Sequence, residues 1–398
     1  MIPELRKIFN EQFSDEKYQS YIQELKNVYP GHMDFRIAET PVFVPKDFTQ
    51  KMLDTCENII DVITDPNYIA KSDAAIPKHL KVPAQDARPH FLIFDFAVCH
   101  NKTGDLEPQL IEMQGFPSLF AWHALLPEIA HHHFTWPENF SIYLNGFNQE
   151  SYFELLKKVI LDGEDPEHVI LLELFPHRQK TKVDFYATRD LLGINIVCIT
   201  EIIQEGKHLF YIKDEKKIII KRIYNRVIFD ELLQQPKEVQ EKGKFFQEEV
   251  DVEWVPHPNW FYRISKFSLP FIKHPLVPKT VFLHELNTFP TDLHNYVAKP
   301  LFSFAGHGVI IDVTNEALNN IEDKENWILQ RKVTYAPIIE TPDEKAKVEI
   351  RLFYFWEPGT PRPLATNNLA RLSKGKMIGV DYNKDKSWVG GSFCLFEQ

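Results

Sequence analysis

The sequence predicts an α/β and α+β protein, and three observations carry that prediction. Apolar residues recur at three- and four-residue spacing in the first ninety positions. Strand-like and helix-like runs alternate from about 150 to 262, and runs of β-formers broken by turn residues dominate after 263. A chain of 398 residues is also too long for one compact core, so two or three subdomains sharing interfaces are expected.

Taken in order, "PELRKIFNEQF" and "KDFTQKMLDTCENIIDVI" are amphipathic, and residues 1–90 read as helix and loop. The character changes at "HFLIFDFAVCH" (90–100), a strand, followed by the turn "NKTGDLEP" and a second strand, "QLIEMQGF" (109–116); together they predict a hairpin within 91–149. Residues 150–262 run "SYFELLKKVIL", "HVILLELF", "KVDFYATRDLLG" and "INIVCITE", helix then strand twice over, which predicts a small open α/β sheet. The pair "KHLFYI" and "KKIIIKRIYNRVI" flanks the charged turn "KDEK". From 263 to 398 the pattern returns to α+β. No internal repeat and no low-complexity linker separates the parts, so intimate packing is expected.

Composition excludes several classes. A formal charge of −11 offers no electrostatic footprint for nucleic acid or an anionic membrane, though it leaves room for a local basic pocket. The longest apolar runs, such as "VILLELF" at 169–175, fall short of the roughly 18 residues a membrane span needs. Cys56, Cys99, Cys198 and Cys394 lie far apart with no CxxC pair, which suits neither structural zinc nor a disulfide framework. The charged N-terminus does not read as a secretory signal. A cytoplasmic protein is expected; its oligomeric state is not legible.

Three constellations carry chemistry. In "NYVAKPLFSFAGHGVIID" (295–312), Lys299 and Pro300 end a strand-like entry, Gly306 and Gly308 follow, and a strand-like exit closes the stretch. An ordinary hairpin explains it, and so does a lid that lays backbone N–H groups over phosphates with a lysine as point charge. In the early hairpin Asp95 sits within one apolar strand, and Glu112 and Gln114 lie two apart on the next, hence on one face. Gathered oxygen ligands suit Mg²⁺, but a buried acid paired with an arginine is equally open. Finally, basic residues interrupt apolar strands: Lys221, Arg222 and Arg226 beside Tyr224, then Arg351 and Arg371. Several such arginines beside isolated acids suit a polyanion site, whereas one alone is a structural ion pair. The run His131–His133 is discounted as a metal site, because adjacent residues diverge.

The stretches "RISKFSLPFIKHPLVPKTVFL", "YVAKPLFSFAGHGVIID", "WILQRKV", "VEIRLFYF" and "LARLSKGKMIGVDYNKDKSWVGGS" together resemble the first part of an ATP-grasp ligase module. Its closing part, an acid on one strand and E-x-N on the next, resembles "FDFAVCHNKTGDLEPQLIEMQGFPS" near the N-terminus, with Gln114 in place of the asparagine. The rotated order is similar to that of circularly permuted ATP-grasp proteins of the glutathionylspermidine synthase-like group. The resemblance covers about 90–120 and 263–398 and implies an ATP-grasp fold, with 263–398 carrying the nucleotide lobes, 91–149 the metal-binding hairpin, and 150–262 a pre-ATP or substrate domain. It implies that Lys266, Lys299, Gly306, Gly308 and Gln330 hold ATP, that Asp95, Glu112 and Gln114 bind Mg²⁺, and that Arg351 and Arg371 steady the transferred phosphoryl group. Tyr224 and Arg226 would line the substrate site. The implied reaction joins a small-molecule carboxylate to an amine or thiol through an acyl-phosphate; a small-molecule kinase and a non-catalytic nucleotide-binding scaffold are the alternatives.

Overall fold

Local sequence sets the N-terminal helices. The structure, a computed structural model, describes residues 1–302, 308–376, 378 and 382–398. Helix α1 (Pro3–Gln12) opens on a proline, whose missing N–H costs nothing in a first turn. The Ser14 hydroxyl accepts from Lys17 N at 3.2 Å and caps α2 (Asp15–Val28). Strand β1 (Val42–Val44) leads into α3 (Lys46–Thr64), which buries Phe48, Met52, Cys56, Ile59, Ile60 and Ile63 along one stripe. Asp65 then caps α4 (Pro66–Ser72), accepting from Asn67 N at 2.7 Å.

Next come β2 (Phe91–His100) and β3 (Leu106–Gln114), joined through the Asn101–Asp105 turn. Nine of the ten β2 residues are buried, which marks a strand covered on both faces rather than an edge. Helix α5 (Phe120–His131) and the short β4 (Phe140–Ser141) follow. The strand–helix alternation of 150–262 builds α6 (Gln149–Leu161), β5 (Val169–Glu173), α7 (Lys182–Leu192) and β6 (Asn195–Cys198). A small antiparallel meander, β7 (Ile203–Glu205), β8 (His208–Lys213) and β9 (Lys216–Ile220), leads to β10 (Arg222–Asn225) and β11 (Glu253–Val255). Strands β11, β10, β5 and β6 form a parallel sheet in that order.

The C-terminal part supplies β12 (Thr280–Phe282), β13 (Tyr296–Pro300) and β14 (Trp327–Arg331), an antiparallel sheet ordered β12-β14-β13. The strand expected after the glycines is reduced, among the described residues, to a single bridge between Ile310 and Ala298. Strands β15 (Lys347–Phe355), β16 (Leu364–Ser373), β17 (Gly390–Ser392) and β18 (Cys394–Glu397) complete the chain.

Two long-range pairings tie these parts together. The early hairpin joins the late strands in one five-stranded antiparallel sheet, ordered β17-β16-β15-β2-β3. Strand β18 lies between β1, which it pairs in parallel, and β4. At the junction Gly390 has φ +124°, and a Cβ there would fall 2.5 Å from the Arg36 carbonyl oxygen, so only glycine fits. All four cysteines are buried thiols. Among the described residues no helix is long and apolar enough to cross a membrane.

Candidate functional site

Residues paired across neighbouring strands share a face of the sheet. Glu112 on β3 pairs with Asp95 on β2, Asp95 with Arg351 on β15, and Glu349 on β15 with Arg371 on β16. Gln114, two residues beyond Glu112, is on the same side. One face of the five-stranded sheet therefore carries a row of charges from residues more than two hundred positions apart.

The centre of the row is tightly paired. Arg351 donates from Nε and Nη2 to the two carboxylate oxygens of Asp95, both at 2.6 Å, a two-pronged geometry only a guanidinium supplies. Asp95 is 1% exposed. Burial pushes its carboxyl upward, and the Arg351 guanidinium opposes that shift. Arg371 reaches the same carboxylate at 3.5 Å and also grips Glu349, whose other oxygen accepts from the Tyr335 hydroxyl at 2.9 Å. Although burial works against it, the acids Glu349, Asp95 and Glu112 hold the Arg371 guanidinium above its ordinary value. Its Nε is buried without a partner.

The β12-β14-β13 sheet faces this row. Lys299 on β13 and Gln330 on β14 share a face, because Val297, two residues before Lys299, pairs with Gln330. The Lys299 ammonium donates to the Ile111 carbonyl at 3.2 Å. Ile111 is the unpaired residue of a bulge where the β2–β3 register slips between Asp95 and Phe96, which explains a carbonyl turned out of the ladder. Lys266, in a 3₁₀ turn (Lys266–Phe271) capped by Ser265, lies 3.9 Å from Glu112. Burial lowers the Lys299 ammonium to about 8, assisted by Lys266 and opposed by Glu112. Glu112 shifts downward: burial would raise it, but Lys266, Lys299 and the two arginines prevail. Gln330 is buried and its Nε2 has no partner. Gly308 has φ +73° beside Pro300, and Gly306 lies outside the described residues.

This fold has a solved counterpart. The chain is similar to a glutathione synthetase-like effector (GSS30) from Globodera pallida, solved in apo form, with a TM-score of 0.58 and 10% identity over 97% of this chain and 98% of that one. At that identity the likeness is one of fold. No family model and no curated protein matches the sequence. The likeness extends over nearly the whole of both chains, so it is one of overall fold and not of a single part.

Tyr224 lies near the carboxyl end of β10, and Arg226 follows directly after the strand. Arg226 donates to the Ser118 carbonyl at 3.1 Å and lies over the rings of Phe116 and Phe185. Ser118 also turns its hydroxyl toward Arg351 at 3.4 Å, so one short loop joins the two regions. Tyr224 is buried at 1% exposure.

Sequence reading named neither Glu349 nor Tyr335. Glu349 was within reach, two residues before Arg351 on a strand; Tyr335 is in a loop and carried no signal. His132 and His133 share one carboxylate, Glu24, and His131 packs at a tilt against Trp136. Among the described residues no three His, Cys, Asp or Glu side chains are grouped to hold a metal ion. For an oxygen-loving divalent cation the structure offers Glu112 and Gln114, half-buried on one face, whereas both Asp95 oxygens are taken by arginine. Two donors suffice where substrate phosphates complete the shell, so this pair fits magnesium.

Proposed function

We propose that the cleft between the two antiparallel sheets binds ATP, and that the chain is a ligase joining a carboxylate to an amine or thiol on a circularly permuted ATP-grasp framework. The observation that carries this reading is convergence. Lys266, Lys299, Glu112, Arg351 and Arg371 come from opposite ends of the chain, yet they form one electrostatically coupled unit. The likeness to a glutathione synthetase-like fold supports the same reaction class.

In this mechanism Lys266 and Lys299 neutralise phosphate oxygens as point charges, and Gln330 offers its unpartnered amide to the base. Glu112 and Gln114 would hold magnesium, which would supply charge neutralisation to the phosphates. The substrate carboxylate attacks the γ-phosphorus, the bond to the β-γ bridging oxygen breaks, and ADP leaves. Arg351 and Arg371 face the charge that develops on the phosphoryl oxygens. The amine or thiol then attacks the acyl-phosphate carbon, inorganic phosphate departs, and the nucleophile's proton passes to solvent. The small molecules are the partners, and the four unpaired cysteines suit a reducing cytoplasm.

Millimolar ADP or ATP with Mg²⁺ is expected to raise the melting temperature of the protein, and Lys299→Ala to remove most of that gain. An unmoved melting temperature at millimolar nucleotide sinks the reading. A second reading, nucleotide binding without turnover, is favoured by one observation: the acid expected to help hold the metal is engaged by Arg351 instead. ADP release that depends on an added acid–amine pair separates the two.

A further inference from the structure

The cleft's most buried carboxylate is also the one least available to a cation. Asp95 is 1% exposed, and Arg351 spans both of its oxygens at 2.6 Å. Arg371 approaches the same carboxylate at 3.5 Å. Using Nε and Nη2 on Asp95 leaves Arg351 with Nη1, whose contact is the Ser118 hydroxyl at a long 3.4 Å. Arg371 is anchored through Nη2 on Asp95 and Glu349, while its Nε is buried without a partner. Two guanidinium groups are thus fixed side by side from one carboxylate, each with donor capacity left over. Such a pair matches a planar or tetrahedral oxyanion, which accepts forked hydrogen bonds from both.

On the nucleotide reading above, we propose that Asp95 is a positioning residue and not a metal ligand. It holds Arg351 and Arg371 together as a seat for the oxyanion of the phosphoryl-accepting substrate, a carboxylate that becomes an acyl-phosphate. The divalent cation falls to Glu112 and Gln114 alone. Division of labour follows from the geometry: a cation at Asp95 would have to displace a two-pronged arginine and meet a second guanidinium 3.5 Å away.

The test uses the full chain and thermal shift, with no turnover required. Mg²⁺ is titrated at saturating ADP, and inorganic phosphate is then titrated in the presence of both. Wild type is expected to respond to all three. Asp95→Asn should leave the Mg²⁺ midpoint within about twofold of wild type and weaken the phosphate response by about tenfold or more, a loss of one well-oriented charged contact. Glu112→Gln should raise the Mg²⁺ midpoint by at least about tenfold, as expected when the lone carboxylate donor becomes neutral. If Asp95→Asn does not fold, the double variant Asp95→Leu/Arg351→Leu replaces the buried pair by apolar side chains and is read the same way. A Mg²⁺ midpoint that rises in either Asp95 variant overturns the proposal, as does an unchanged midpoint in Glu112→Gln or an undiminished phosphate response. Absence of any ADP response in wild type instead overturns the nucleotide reading beneath it.

Discussion

Asp95 lies buried on an interior strand of the five-stranded sheet with Arg351 as its main counter-charge, so removing the arginine leaves a carboxylate buried without a full partner. Breaking one side of such a pair costs roughly 3–5 kcal/mol, far more than an exposed ion pair is worth. Arg351→Met is therefore expected to lower stability by about that amount in urea unfolding, and Asp95→Leu/Arg351→Leu to recover most of the loss. Lys299 supplies a second readout at this scale. Its free-state value of about 8 means that the ammonium, which binds phosphate, is lost as pH rises past that point. ADP affinity should fall above about pH 8, by up to about tenfold per unit, and the decline should vanish in Lys299→Met. Stability of the free protein changes in the opposite sense: between about 8 and the ordinary lysine value the unfolded chain binds the extra proton, so unfolding becomes harder as pH rises. Calorimetric titration across that window measures the first effect, and urea midpoints the second.

Among the elements, the end of β3 and the segment carrying Lys266 approach so closely that a side chain at Gly115 would be crowded. A Cβ there would lie 3.0 Å from the Trp260 carbonyl oxygen and 3.1 Å from the Ile264 Cβ, while Gly115 N donates to the Ile264 carbonyl at 2.9 Å. Gly115→Ala should cost roughly 1–3 kcal/mol and weaken ADP binding, because the strain falls between Glu112 and Lys266. Melting temperature and an ADP titration together measure it. The elements also show what could be read beforehand. The hairpin of 91–116 was legible because a turn rich in Asn, Thr, Gly and Asp separates two β-rich runs. The bulge at Ile111 was not, since nothing in "QLIEMQ" marks a register slip, and neither was the 3₁₀ turn that delivers Lys266. At Asp95 two readings stood open, because an acid in an apolar strand needs a cation of some kind; only tertiary geometry makes it a guanidinium.

At the scale of the whole molecule, the sheets join the two ends of the chain. Strand β18 fills the space between β1 and β4, and β17 extends the five-stranded sheet beyond β16. A chain lacking residues 390–398 would leave β1 and β4 without the strand between them and expose the apolar faces they cover. It is expected to lose its cooperative thermal transition and to bind a dye that reports exposed apolar surface. That the charges of 95–114 and 299–371 form one row was suggested by the rotated order of motifs, but the pairing of β2 with β15 is a contact no local pattern encodes. The same pairing sets a schedule for synthesis. Strand β2, apolar along nearly its whole length, emerges from the ribosome with one edge that only β15 can cover. At about 5–20 residues per second, β15 arrives roughly 12 to 50 s later, so the nascent chain depends on a chaperone or on transient non-native cover for that interval.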